Sequence, residues 1–156
     1  MSSMRVLRVY TDTSVIGGCF DPEFSLWSNR LVQDFQQRRY IPVVSSIVAT
    51  EIDFAPEPVR TKFEEILRLE PVFLDLTEEA VNLSEIYSSH GALPPKFRND
   101  LLHIALATVA NVDVLVSWNF KHIVRLEKIR IFNAVNLELG YKTLQIHSPQ
   151  EVATYE

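Results

Sequence analysis

The sequence predicts an α/β fold: a central parallel β-sheet with helices on both faces, a three-layer sandwich. Three observations lead there. Short runs rich in valine, isoleucine and leucine alternate with stretches of helical periodicity along the chain. The segment "RNDLLHIALATVANV" (98–112) is apolar nearly all round, as a helix buried in a layered core must be. No internal repeat, low-complexity segment or linker interrupts the pattern, so residues 1–156 read as one domain.

The elements follow in order. "RVLRVYTD" (5–12) reads as a strand ending at Asp12. "FSLWSNRLVQDFQQRR" (24–39) spaces Trp27, Leu31 and Phe35 four apart, on one helical face. "YIPVVSS" (40–46) is a second strand whose serines can cap a helix over "IVATEIDF". Residues 58–69 are helical, with Phe63, Ile66 and Leu67 on one side, and "PVFLDL" (71–76) is a third strand. Thr77, followed by Glu78 and Glu79, starts a helix that runs to about His90 and turns Leu83, Ile86 and Tyr87 inward. Two prolines in "GALPPKF" (91–97) break it. After the apolar helix come strand "DVLVS", a short helix near 133–139 stopped by Gly140, strand "KTLQIH" and the tail "SPQEV".

The composition, 47% hydrophobic and 22% charged over 156 residues, is that of a globular chain with a substantial core. No apolar stretch approaches the roughly 20 residues of a membrane-spanning helix. "MSSMRVLRVYTD" lacks a signal-peptide core, and one cysteine excludes an intramolecular disulfide, so a cytoplasmic protein is expected. A net charge of −5 argues against a broad basic surface for nucleic acid, yet does not exclude an enzyme that gathers carboxylates around a metal, so it leaves the function open.

In open parallel sheets ligands bind at the carboxyl ends of the strands, where the topology switches. Asp12, with Thr13 and Ser14, follows the first strand; Glu51 lies in the helix after the second; Asn119 follows strand 114–117. Asp100, with Asn99 and His103, breaks the apolar surface of helix 98–112 near its start. Each has an ordinary alternative: Asp12 a helix cap, Glu51 a solvated helix residue, Asp100 a complement to a helix N-terminus, Ser14 a turn hydroxyl. Together at one sheet edge, the like charges repel unless a cation holds them. Other α/β sites fit worse. There is no GxGxxG, GxxxxGK[ST] or GxSxG; Ile16 spoils a DxSxS motif and Ser14 a DxD motif; Cys19 reads as a small buried hydrophobe.

Asp12 in "VYTDTSV", Glu51 in "VVSSIVATEI", Asp100 in "RNDLLHIALA" and the segment "VDVLVSWNFKHI" resemble, in order and spacing, the motifs of PIN domains, best known as the VapC-type toxins of toxin–antitoxin pairs. The resemblance spans about residues 6–147. It implies a PIN-like sandwich and a Mg²⁺- or Mn²⁺-dependent ribonuclease whose core metal-binding acids are Asp12, Glu51 and Asp100, with Ser14 in support. It also implies an RNA substrate and a cognate antitoxin partner, and such proteins commonly self-associate. The apolar stripe around Trp27 serves either a homodimer or the core.

Many PIN domains carry an aspartate where this chain has Asn119. Asp113 lies at the other end of the strand, about 13 Å from Ser117, and Asp53 points to nearly the opposite side of its helix from Glu51, so neither replaces it. Asn119 offers a carbonyl oxygen but no charge, which predicts activity that needs more metal or prefers Mn²⁺. Lys96, Arg98, Lys121 and Arg125 bracket the edge, as RNA-backbone contacts or as solvated charges. His103 and His122 read more simply as a hydrogen-bonded histidine and a local cap. Two further readings stay open: a binding module that Asn119 has deprived of catalysis, and a metal-dependent nuclease acting on DNA.

Overall fold

The computed structural model describes residues 5–155; the first four residues of the N-terminal segment read above, and Glu156, lie outside them. A 5-stranded parallel sheet runs in the order β3-β2-β1-β4-β5, from strands β1 (Leu7–Thr11), β2 (Tyr40–Ser45), β3 (Val72–Leu74), β4 (Val114–Val116) and β5 (Gln145–His147). The chain leaves β1 towards β2 and later returns to its other side as β4. The switch point therefore lies between the carboxyl ends of β1 and β4, where Thr11 pairs with Val116.

Side chains alternate across the strands and divide the interior into two layers. Val9 with Val114 and Val116 faces a smaller cluster containing Leu31, Phe35 and Trp118. Tyr10 and Leu115 face the larger cluster, which includes Val48, Phe63, Leu83, Ile104 and Phe132. The first face is covered by α2 (Ser25–Gln36) and α8 (Pro149–Val152). The second is covered by α3 (Ser46–Ile52), α4 (Glu57–Leu67), α5 (Glu78–Ser89), α6 (Arg98–Val109) and α7 (Leu126–Glu138). The three-layer α/β sandwich is as the sequence predicts. Every residue from Leu101 to Thr108 in α6 is buried, which explains its all-round apolarity.

Differences lie at shorter range. A helix α1 (Thr13–Gly18) follows β1, where the sequence showed only the polar run after Asp12; its two glycines hide it from propensity. The helix expected near 133–139 begins at Leu126, directly after a loop whose last residue, Arg125, makes no side-chain cap to mark the start. Gly140 does end it, at φ 87°. The tail forms α8, held by a capping box between Ser148 and Glu151. Leu67, expected to face inward with Phe63 and Ile66, is exposed. Among the described residues no helix is long and apolar enough to cross a membrane.

Candidate active site

Asp12 sits just past the end of the central strand and is 4% exposed. Its carboxylate caps α1 by accepting from the Val15 amide at 3.3 Å, and takes the hydroxyl of Ser14 at 2.6 Å on the same oxygen. The second oxygen accepts from Ser117 at 2.6 Å. Both serines are in turn fixed by the chain after β4: the Trp118 amide donates to Ser14 (2.9 Å) and the Asn119 amide to Ser117 (2.9 Å). The strand-end caps of β1 and β4 are thus one hydrogen-bonded unit at the switch point. Burial pushes the Asp12 carboxyl above the usual carboxylate range, against the opposing effects of nearby His103, the two serines and the Val15 amide. No cationic side chain touches it among the described residues, so the site is short of positive charge.

Glu51 projects from α3, which Ser45 caps through the Val48 amide. One oxygen accepts from Thr13 (2.6 Å) and lies 2.8 Å from Nε2 of His103; the other takes Asn99 at 3.4 Å. With Nε2 donating to the carboxylate, Nδ1 of His103 accepts from the Tyr10 hydroxyl at 2.7 Å, and Tyr10 reaches Ser45 at 2.7 Å. A buried relay from Ser45 to Glu51 therefore ties β1, β2, α3 and α6 together. Burial pulls the Glu51 carboxyl upward, but the bonds to His103, Thr13 and Asn99 outweigh it and hold the group below its ordinary value.

Asp100 occupies the first turn of α6, suited to that helix end, and meets Nδ1 of His122 at 3.0 Å. Asn119 stands beside it with its amide 3.5 Å from the same oxygen. The carbonyl oxygen of Asn119, read from sequence as a ligand or water holder, accepts instead from the backbone amides of Lys121 (3.2 Å) and His122 (2.9 Å). The asparagine shapes the turn that sets His122 against Asp100. An aspartate would keep the turn but lose the donor.

Of the basic residues, Lys96 and Lys121 are exposed, and Lys96 rides over the Phe97 ring at 5.1 Å. Arg125 lies within 3.8 Å of Glu127. Arg98 is turned away from the acids and lines a cavity between α5 and α6. Thr13, named in the sequence beside Asp12, does meet the site through Glu51; Ser117, Tyr10 and Ser45 were not singled out as site neighbours, and both histidines were undervalued. A polar residue closing a core strand, as at Ser117, was the available signal.

No protein-family model matches the chain. No curated protein matches it either. Among solved structures, VapBC2 from Rickettsia felis bound to a DNA fragment from their promoter superposes with a TM-score of 0.56 at 15% identity, covering 91% of this chain and 98% of that one. FitAcB from Neisseria gonorrhoeae gives 0.55 at 13% identity, with 91% and 98% covered. The fold is PIN-domain-like. At that identity the likeness is one of fold, and what the PIN-like edge can do rests on its own geometry. Among the described residues no three His, Cys, Asp or Glu side chains are grouped closely enough to hold a metal ion by themselves. The donor set is nonetheless carboxylate and hydroxyl oxygen around a buried, cation-poor Asp12. That fits a hard cation which keeps its waters and completes its shell with substrate phosphate, and not a closed metal cage.

Proposed function

We propose that this chain is a Mg²⁺- or Mn²⁺-dependent endoribonuclease and the toxin of a toxin–antitoxin pair, with RNA as substrate and a cognate antitoxin as partner. One observation carries the reading. A buried carboxylate closes the central strand at the switch point of a PIN-like sheet, and the two further acids, Glu51 and Asp100, come from separate helices, each oriented by its own histidine. The fold likeness to VapBC2 and FitAcB, toxin–antitoxin complexes, supports the partner. Asp12 and Asp100 would hold the cation, with Glu51 at its margin and Ser14 orienting Asp12. When bound, the ion lowers the pKa of water for attack on phosphorus and offsets charge on the phosphate. The protein's part is to keep Asp12 fixed by two serines and to hold the other acids apart.

The test is cleavage of a mixed RNA pool in Mn²⁺ and in Mg²⁺, with EDTA and Asp12→Asn as controls. Cleavage that both controls abolish is expected; cleavage surviving in Asp12→Asn sinks the assignment. A second reading, an RNA- or protein-binding module without catalysis, draws on the Asn119 amide, which puts a donor where a ligand would be. It takes the lead if wild type is silent while metal still binds.

A further inference from the structure

Beside the acids the surface opens into a cavity of about 370 Å³, large enough for a planar heterocycle, and no step of the reaction above uses it. Ser14 and Asn119 belong to its lining as well as to the acid site, so the two are continuous. Its wall is aromatic. Phe24 and Trp118, both in the lining, stack with ring centroids 4.3 Å apart, and Phe120, 50% exposed, lies beside them, 6.5 Å from Phe24 and 6.0 Å from Trp118. Trp118 is held rigidly by its indole N–H on Ser28 at 2.8 Å. The floor is left open by Gly17, where an added Cβ meets nothing within 4 Å. Asp21 closes the far side; one of its oxygens accepts from the Glu23 amide at 2.8 Å, and the other makes no hydrogen bond among the described residues.

These features select a ligand class. A carboxylate repels phosphate, so the cavity does not take the backbone. Fixed aromatic faces favour a flat, uncharged ring. A free carboxylate oxygen favours a ring edge bearing N–H donors, which a nucleobase with an exocyclic amine supplies. We propose that this cavity receives one unpaired nucleobase of the RNA strand, next to the phosphate at the acids. It sets the register of cleavage, with the partly buried Phe24, backed by the buried Trp118, and the exposed Phe120 supplying the stacking surface and Asp21 reading the base edge. The inference rests on the ribonuclease reading and adds a specificity subsite to it.

The test uses fluorescein-labelled single-stranded RNA and fluorescence anisotropy in EDTA, so that no cleavage occurs during the measurement. Gly17→Leu fills the floor and should weaken binding about tenfold, the order expected for losing one stacked base. Its melting temperature should be no lower than wild type. Phe120→Ala, at an exposed position, should weaken binding in the same direction. An abasic site walked along the oligonucleotide should reproduce the loss at one position in wild type and cause no further loss there in Gly17→Leu. Wild-type affinity in both variants would leave the cavity to a side chain of a protein partner and overturn the subsite, as would an abasic walk without a sensitive position. If wild type still cleaves RNA in an Asp12-dependent way, only the subsite has failed. If wild type neither binds nor cleaves RNA, the ribonuclease reading has failed with it.

Discussion

At the residue scale the acids of this edge are not equivalent. Asp12 is buried and its proton is held more tightly in the folded chain than in the unfolded one, so its contribution falls as pH rises through its folded pKa. Glu51 is the reverse: its bonds favour the charged form, and its contribution is present above the ordinary value of 4.5 and lost as pH falls below it. The Glu51→Gln amide should therefore lose stability in a pH-dependent way. In EDTA it should melt below wild type at pH 7, and the difference should shrink towards pH 4. Thermal melts at the two pH values check this, and a difference that does not shrink would contradict it. Asn119 makes a separate point. Its side chain gives Asp100 a donor, so Asn119→Asp would place a second carboxylate there with no donor between them. That variant should bind Mn²⁺ more tightly by calorimetry and cleave RNA at lower metal; unchanged metal dependence would mean the position does not set metal demand.

At the scale of elements, adjacent glycines in α1 do different work. A Cβ at Gly18 would stand 2.6 Å from Ser28 Oγ and 2.7 Å from Trp118 Nε1, both buried and bonded to each other. A Cβ at Gly17 would meet open space. Gly17→Ala should stabilise by about 0.5–1 kcal/mol through helix propensity. Gly18→Ala has the same gain, but overpacking of about 1–3 kcal/mol should win and destabilise. Denaturant titration of the pair reads the sign of each. The same helix shows where sequence reading stops. The strands, the buried α6 and the caps at Ser45 and Thr77 were legible because periodicity and capping chemistry are local. Helix α1 was not, because it exists through packing against Ser28 and Trp118 from distant segments. The position of each acid at its element's end was legible too. Their partners were not: His103 on Glu51 and His122 on Asp100 depend on helix placement, which no spacing in the chain reveals.

At the scale of the molecule, charge limits how the RNA of the proposed reaction would be held. The chain carries −5 overall, so such binding would be local to a few cations. In the segments that carry Asp100 and Asn119 those are the exposed Lys96, Lys121 and Arg125, with Arg98 facing the cavity between α5 and α6. A second group, Arg5, Arg8 and Lys142, lies at the opposite end of the sheet. There Arg5 is paired with Asp113, and Arg8 is bonded to the carbonyls of Ala110 and Asn111. If Lys96, Lys121 and Arg125 hold the strand, up to three phosphates are neutralised. At about −0.7 per contact for single strands, the logarithm of affinity should fall with the logarithm of salt at a slope near −2. Replacing Lys96 and Lys121 together by glutamine should flatten the slope by about 1.4. The Arg8→Gln variant should leave it unchanged. A slope that responds to Arg8 and not to the lysines would put the strand at the amino end of the sheet, away from Asp12, and would separate RNA binding from the acids altogether.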